Sequence, residues 1–256
     1  MSRLERTFAE LKKTGRKALI PYIMAGDPSL EKTKKYVLDL ESAGADIIEL
    51  GVPFSDPLAD GPTIQQAAER SLKKGTTLKK VLSLVKEIRG NSDIPLILMT
   101  YFNPVFKFGI DSFVRDAVRN GIDGVIIPDL IPDEAGDFVK LARQHGLNTI
   151  FLLAPTSTGE RIHKVSKVSS GFIYYVSITG ITGSRLKTGK TMKDTLRAIK
   201  EHAKQPVAVG FGISNAREAK EVAKFADGVI IGSAIVKLIA RRKSIKKFVE
   251  NIRKAI

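Results

Sequence analysis

Residues 48–61, IELGVPFSDPLADG, hold three carboxylates, Glu49, Asp56 and Asp60, and almost nothing else that ionises. Glu49 interrupts the apolar run Ile47, Ile48, Leu50, which reads as a buried strand leading into a loop stiffened by Pro53, Pro57 and Pro62. Burying even a merely polar group without a partner costs on the order of 2–7 kcal/mol, so a carboxylate there needs a partner or a task. Burial also raises its pKa toward the working pH, which suits a group that both gives and takes a proton. Asp60 follows in the loop and can point into the same mouth, although it also suits the residue before Gly61-Pro62, where a helix opens with Pro. Asp56 precedes Pro57, and turn initiation accounts for it as well as chemistry does.

Glycines gather in three later segments, SITGITGSRLKTGK, GFGISN and GSAIVK. Glycine lets backbone N–H groups approach an oxyanion, and a helix N-terminus adds partial positive charge. Gly183, Gly212, Gly232 and Ser233 are the natural phosphate donors, with tight turns and helix caps as the plainer account of each loop alone. Tyr22, Ile64, Tyr101, Tyr174 and Phe211 would line the space between the halves, suited to a flat aromatic substrate portion or simply to core packing. Other chemistries lack their residues. There is no cysteine, and His145, His163 and His202 all fall in helical patterns, which disfavours thiol chemistry and a His-ligated metal. No lysine stands in or at the end of a predicted strand, which disfavours a Schiff base. Carboxylate acid–base chemistry on an organic phosphate remains, with no metal and no covalent intermediate.

These residues must be positioned by two alternating patterns. Short Ile- and Val-rich runs appear at 18–24, 46–50, 95–99, 124–127, 148–152, 172–176, 206–209 and 228–231. Their lack of alternation marks strands covered on both faces, as in a parallel sheet. Amphipathic helical patterns lie between them, at 30–43, 64–72, 78–88, 111–118, 133–145, 162–168, 192–202, 215–223 and 244–256, and Leu4, Phe8 and Leu11 mark one more at the N-terminus. Three helix-to-strand joints, AGADIIELG, NGIDGVIIPD and FADGVIIGS, share a Gly or Ala, then an Asp that opens the turn, then a strand. Eight strands each followed by a helix in 256 residues predict an α/β fold, one (β/α)8 barrel domain over 1–256 with an extra N-terminal helix. An open doubly wound sheet is disfavoured, because MAGDPSLEKT after the first strand lacks the G-x-G-x-x-G fingerprint. A barrel places function at the C-terminal strand ends, where the carboxylates follow strand two and the glycines follow strands six to eight.

The net charge of +15 is spread along the chain with Glu and Asp interspersed and no aromatic interleaving, which reads as solvated helix faces rather than a nucleic-acid surface. No run approaches the roughly 18 apolar residues of a membrane span, and the charged N-terminus is no signal segment. A cytoplasmic protein is expected.

IELGVPFSDPLADGP resembles the signature of tryptophan synthase alpha chains, as do YIMAGDP, SITGITG, GFGIS and GSAIVK, so the likeness runs over essentially the whole chain. The resemblance implies a (β/α)8 lyase that cleaves indole-3-glycerol phosphate to indole and glyceraldehyde 3-phosphate by a retro-aldol reaction. It implies an α2β2 complex whose beta chain carries pyridoxal phosphate, with no cofactor in this chain. Glu49 would move protons to indole C3 and from the glycerol hydroxyl, and Asp60 would stabilise charge at the indole N–H. Gly183, Gly212, Gly232 and Ser233 would bind phosphate, Tyr174 would touch the substrate, Phe211 would pack on the indole, and Thr182 would close onto Asp60. Asp56, Pro57, Asn103 and Pro132 would face the beta chain. Two positions depart from some relatives: Ile178 stands where they hold Arg, and Tyr22 where they hold Phe. Another phosphosugar-processing barrel, such as an isomerase or a neighbouring enzyme of the indole-glycerol-phosphate pathway, and a non-catalytic activating subunit stay open as alternatives.

Overall fold

A computed structural model describes residues 1–176, 190–210 and 212–256. Its strands are β1 (Ala18–Met24), β2 (Ile48–Gly51), β3 (Leu96–Met99), β4 (Gly124–Ile126), β5 (Asn148–Ile150), β6 (Leu152–Leu153), β7 (Ile173–Val176), β8 (Val207–Gly210) and β9 (Gly228–Ile231). Its helices are α1 (Arg3–Lys13), α2 (Leu30–Ser42), α3 (Pro62–Lys73), α4 (Leu78–Arg89), α5 (Phe102–Phe108), α6 (Ile110–Asn120), α7 (Gly136–Gln144), α8 (Gly159–Val168), α9 (Lys190–His202), α10 (Ala216–Ala223), α11 (Ser233–Ala240) and α12 (Ile245–Arg253). All strand pairings are parallel, in the order β5-β4-β3-β2-β1-β9-β8-β7-β6. β5 and β6 are one expected strand interrupted at Phe151, whose carbonyl still accepts the Tyr174 N–H at 3.0 Å. The two ends of the sheet therefore meet in one chain segment, and the sheet closes as the expected barrel.

Alternate side chains along each strand point to opposite faces. Outward residues such as Leu19, Ile48, Leu50, Leu96, Leu98 and Val229 join the helices in the large outer core. Inward ones, Ala18, Ile20, Ile47, Ile97, Ile126, Ile150, Ala208 and Ile230, fill the barrel together with Leu4, Phe8 and Leu11 of α1. The apolar face of α1 is thus buried under the N-terminal ends of the strands, and Phe8 meets Phe172 with ring centroids 5.7 Å apart. Ser2 and Glu5 start this helix with a reciprocal capping box.

The aspartates of the three joints clasp neighbouring strands rather than merely opening a turn. Asp46, Asp123 and Asp227 each accept, through a carboxylate oxygen, the N–H of one residue on the preceding strand of the barrel: Leu19 at 2.8 Å, Leu96 at 2.9 Å and Val207 at 2.9 Å. Each also donates its own N–H to the carbonyl of that same residue. Arg253 (2.8 Å) pairs with Asp46 and Arg89 (2.7 Å) with Asp123, and both arginines bind several carbonyls nearby.

Two helices depart from the expected list. α5 was hidden by Pro104, yet Pro104 is the third helical residue, within the first turn where no N–H is needed. α11, SAIVKLIA, is too uniformly apolar to show a polar face. The pattern at 133–145 becomes a helix only from Gly136.

Candidate active site

Glu49 lies in the middle of β2, in register with Tyr22 of β1 on one side and Ile97 of β3 on the other. Since Ile48 and Leu50 pack outward, Glu49 must point into the barrel, where it is 1% exposed. Its Oε2 has no hydrogen-bond partner among the described residues. Burial, and secondarily the charge of Asp60, raise its pKa from 4.5 to about 8.

Asp60 is half-buried at the end of the loop, one residue before Gly61, the N-cap of α3, with its carbonyl held by Gln65 Nε2 at 2.8 Å. Its pKa rises to about 6 through burial, held back by a hydrogen bond from the Tyr101 side chain. Tyr101, at the end of β3, also accepts the Ala59 N–H at 3.0 Å and meets Phe54 in a tilted ring contact with centroids 5.3 Å apart. It therefore positions the Asp60 loop, a role its sequence reading as an aromatic lining residue did not contain. The Tyr101 hydroxyl is itself pushed up by burial and by Asp60. The two carboxylates thus sit apart in acidity: near neutral pH, Glu49 is protonated and Asp60 ionised.

Tyr22 and Tyr174 are buried in the same mouth, and burial together with the charges of Asp60 and Glu49 raises both phenols. Room for their rings is made by two glycines that sequence reasoning passed over. A Cβ at Gly51 would collide with the Tyr22 hydroxyl, and one at Gly210 with the Tyr174 hydroxyl. Ile64 of α3 shares one buried cluster with Tyr22, Met24 and Val236. Asp129, expected only as part of a strand end after β4, has a positioning role: its carboxylate accepts the Phe102 N–H at 2.9 Å and so fixes the start of α5. Thr100, before Tyr101, keeps a buried hydroxyl without a partner among the described residues.

Tyr22 links this carboxylate half to the glycine half. A Cβ on Gly232 would lie 3.4 Å from the Tyr22 ring, so the start of α11 abuts the same mouth. Gly232 is the N-cap and Ser233 the first helical residue, with no side chain capping that end. Its first N–H groups are therefore open to an anion. α10 differs: Asn215 caps it, and Ser214 is bound by Glu218. Gly212, at φ +76°, makes the turn after β8 that a side chain would resist. Thr182, Gly183 and Phe211, along with Ile178, lie outside the described residues.

The remaining expected residues are not in the mouth. Asp56 is exposed and accepts the Ser55 hydroxyl at 2.5 Å, and Asn103 is exposed on α5. Pro57 is half-buried and Pro132 buried. Beside them, Leu58 is 89%, Phe106 65% and Ile131 39% exposed, three large apolar side chains, Phe106 on α5 and the other two on loops, at the same end of the barrel. Among the described residues no helix is long and apolar enough to cross a membrane.

Residues 8–255 match the family model described as Tryptophan synthase alpha chain. The chain belongs to the tryptophan synthase alpha chain family. It is 57% identical to the tryptophan synthase alpha chain of Geotalea uraniireducens over 238 residues, covering 93% of this chain and 89% of that one. Among solved structures it resembles tryptophan synthase subunit alpha from Legionella pneumophila, with a TM-score of 0.92, 38% identity, and coverage of 100% of this chain and 98% of that one. It also resembles a chain from a study of mutual activation in the tryptophan synthase α2β2 complex of Pyrococcus furiosus, with a TM-score of 0.84, 41% identity, and coverage of 93% and 95%. Tryptophan synthase alpha chains are lyases built on this barrel.

Proposed function

We propose that this alpha chain cleaves indole-3-glycerol phosphate to indole and glyceraldehyde 3-phosphate by a retro-aldol reaction. The observation that carries the reading is a buried carboxylate, Glu49, pointing into the barrel with an Oε2 that has no partner among the described residues, in the mouth it shares with Asp60; burial pushes Glu49 up to about 8 and Asp60 to about 6. The C–C bond cannot break until indole C3 is protonated, and protonated Glu49 supplies that proton. The Glu49 carboxylate so formed then takes the proton of the hydroxyl on the carbon attached to C3. The C–C electrons return to the indole, the carbonyl of glyceraldehyde 3-phosphate forms, and Glu49 ends protonated as it began. Asp60, already ionised, accepts the indole N–H and stabilises the positive charge that C3 protonation places on the ring. Tyr22, Ile64, Tyr101, Tyr174 and Phe211 surround the indole, and Gly183, Gly212, Gly232 and Ser233 take the phosphate at the open end of α11. Thr182 closes over Asp60.

The same reading gives the chain a beta-chain partner in an α2β2 complex. Its support is the exposure of the apolar side chains Leu58, Phe106 and Ile131, each within three residues of an expected contact among Asp56, Pro57, Asn103 and Pro132. Pyridoxal phosphate belongs to that partner, and no step above passes through it. One barrel domain over 1–256, working in the cytoplasm, completes the proposal. Purified chain given indole-3-glycerol phosphate should release indole and glyceraldehyde 3-phosphate in equal amounts; release of neither, with or without a beta chain, would sink it.

A further inference from the structure

A cavity of about 350 Å³ lies at the end of the barrel opposite the carboxylates, between the C-terminal ends of α1 and α9. Its floor is apolar, formed by Phe8, Leu11, Ala203 and Pro206, and its rim carries Lys12, Arg16, Lys17, Lys200 and Lys204 against the single carboxylate Asp227. The volume falls in the range of small-ligand sites.

The three aspartate clasps show why this place is open. At Asp46 and Asp123 a mostly buried arginine, Arg253 or Arg89, fills the groove beside the clasp and binds the surrounding carbonyls. At Asp227 the partner is Lys200, 39% exposed, making a single 2.9 Å contact, and the cavity opens beside this pair. Among the described residues Lys12, Lys17 and Lys204 have no carboxylate within salt-bridge distance, while Arg16 is 3.6 Å from Asp46.

Basic residues near helix C-termini often only offset the helix dipole, so the charges need weighing. The ends of α1 and α9 supply about half a negative charge each. With Asp227 counted in full and Arg16 set against Asp46, about two positive charges remain uncompensated around a concave, apolar-floored space. We infer that this cavity binds a small organic dianion, its charged end among Lys12, Lys17 and Lys204 and its apolar body on Phe8, Leu11 and Pro206. A long polyanion would need an extended basic track rather than one pocket.

Phenyl phosphate is a suitable probe, titrated into isotope-labelled protein while backbone amide resonances are followed. Saturable shifts are expected at Gly15, Arg16, Lys17, Ala203, Lys204 and Gln205, separate from any at Gly212, Gly232 and Ser233. Inorganic phosphate, which lacks the apolar body, should bind there more weakly. Lys17→Glu, at a half-buried rim position, and Lys204→Glu, at an exposed one, should each weaken the site on the order of 20-fold, the size of reversing one charge about 5 Å from a dianion in water at physiological salt, and leave indole release unchanged. Shifts confined to Gly212, Gly232 and Ser233, equal affinity for phosphate and phenyl phosphate, or charge reversals without effect would each overturn the assignment.

Discussion

Replacing Glu49 by Gln should abolish cleavage and, at the same time, stabilise the fold by an amount that depends on pH in a calculable way. The side chain is buried, its pKa rises from 4.5 to about 8 on folding, and Oε2 has no partner among the described residues. A group whose folded-state pKa lies above its unfolded value keeps its proton on folding, so the stability it allows is fully present below pH 4.5 and is lost as pH rises through 8. The slope is about 1.36 kcal/mol per pH unit. Between pH 4.5 and about 7 the wild type should therefore lose about 3 kcal/mol that the uncharged glutamine keeps. Shape and packing differences between the two side chains appear equally at both pH values and cancel. Urea unfolding of both proteins across this range measures the difference; in thermal scans the same energy corresponds to roughly 6–12 °C for a chain of this size. A stability difference that stays flat with pH would refute the claim that Glu49 is held protonated by burial.

Other outcomes follow from the same geometry. Tyr101→Phe removes a hydrogen bond that lowers the Asp60 pKa, so the low-pH limb of the cleavage activity should move above about 6, checked by the pH profile of kcat/KM. Asp123→Ala leaves Arg89 buried without its partner and frees the Leu96 N–H, and should cost about 3–5 kcal/mol in denaturant unfolding. Asp123→Asn, which can still accept that N–H, should cost less. Phe106→Asp should weaken beta-chain binding by roughly 30-fold or more in a titration, with the isolated chain's cleavage unchanged, if Phe106 is a central anchor of the interface.

The barrel was legible because its strands are buried on both faces and so read as unbroken apolar runs, all seven residues of β1 among them. Glu49 stood out for the same reason, as a charge where the pattern admits none. Boundaries and helices that rest on tertiary context were less legible. α11 has no polar face to mark it, and α5 contains a proline that only its position in the first turn excuses. The Gly-or-Ala-Asp joints were visible as a motif, but not their purpose, because the residue each aspartate clasps lies 20 to 27 positions earlier in the chain. Gly51 and Gly210 escaped notice on similar grounds: the rings they admit belong to neighbouring strands. Pro132, expected at a partner surface, is buried in the isolated chain, while its neighbour Ile131 and, on α5, Phe106 are exposed.

The most direct test of the central claim is the pH dependence of kcat/KM for indole release from indole-3-glycerol phosphate. An acid that must start protonated near 8 and a carboxylate that must start ionised near 6 give a bell, falling below about 6 and above about 8. A profile that keeps rising past pH 8, where Glu49 has lost its proton, would contradict its assignment as the acid that begins the reaction.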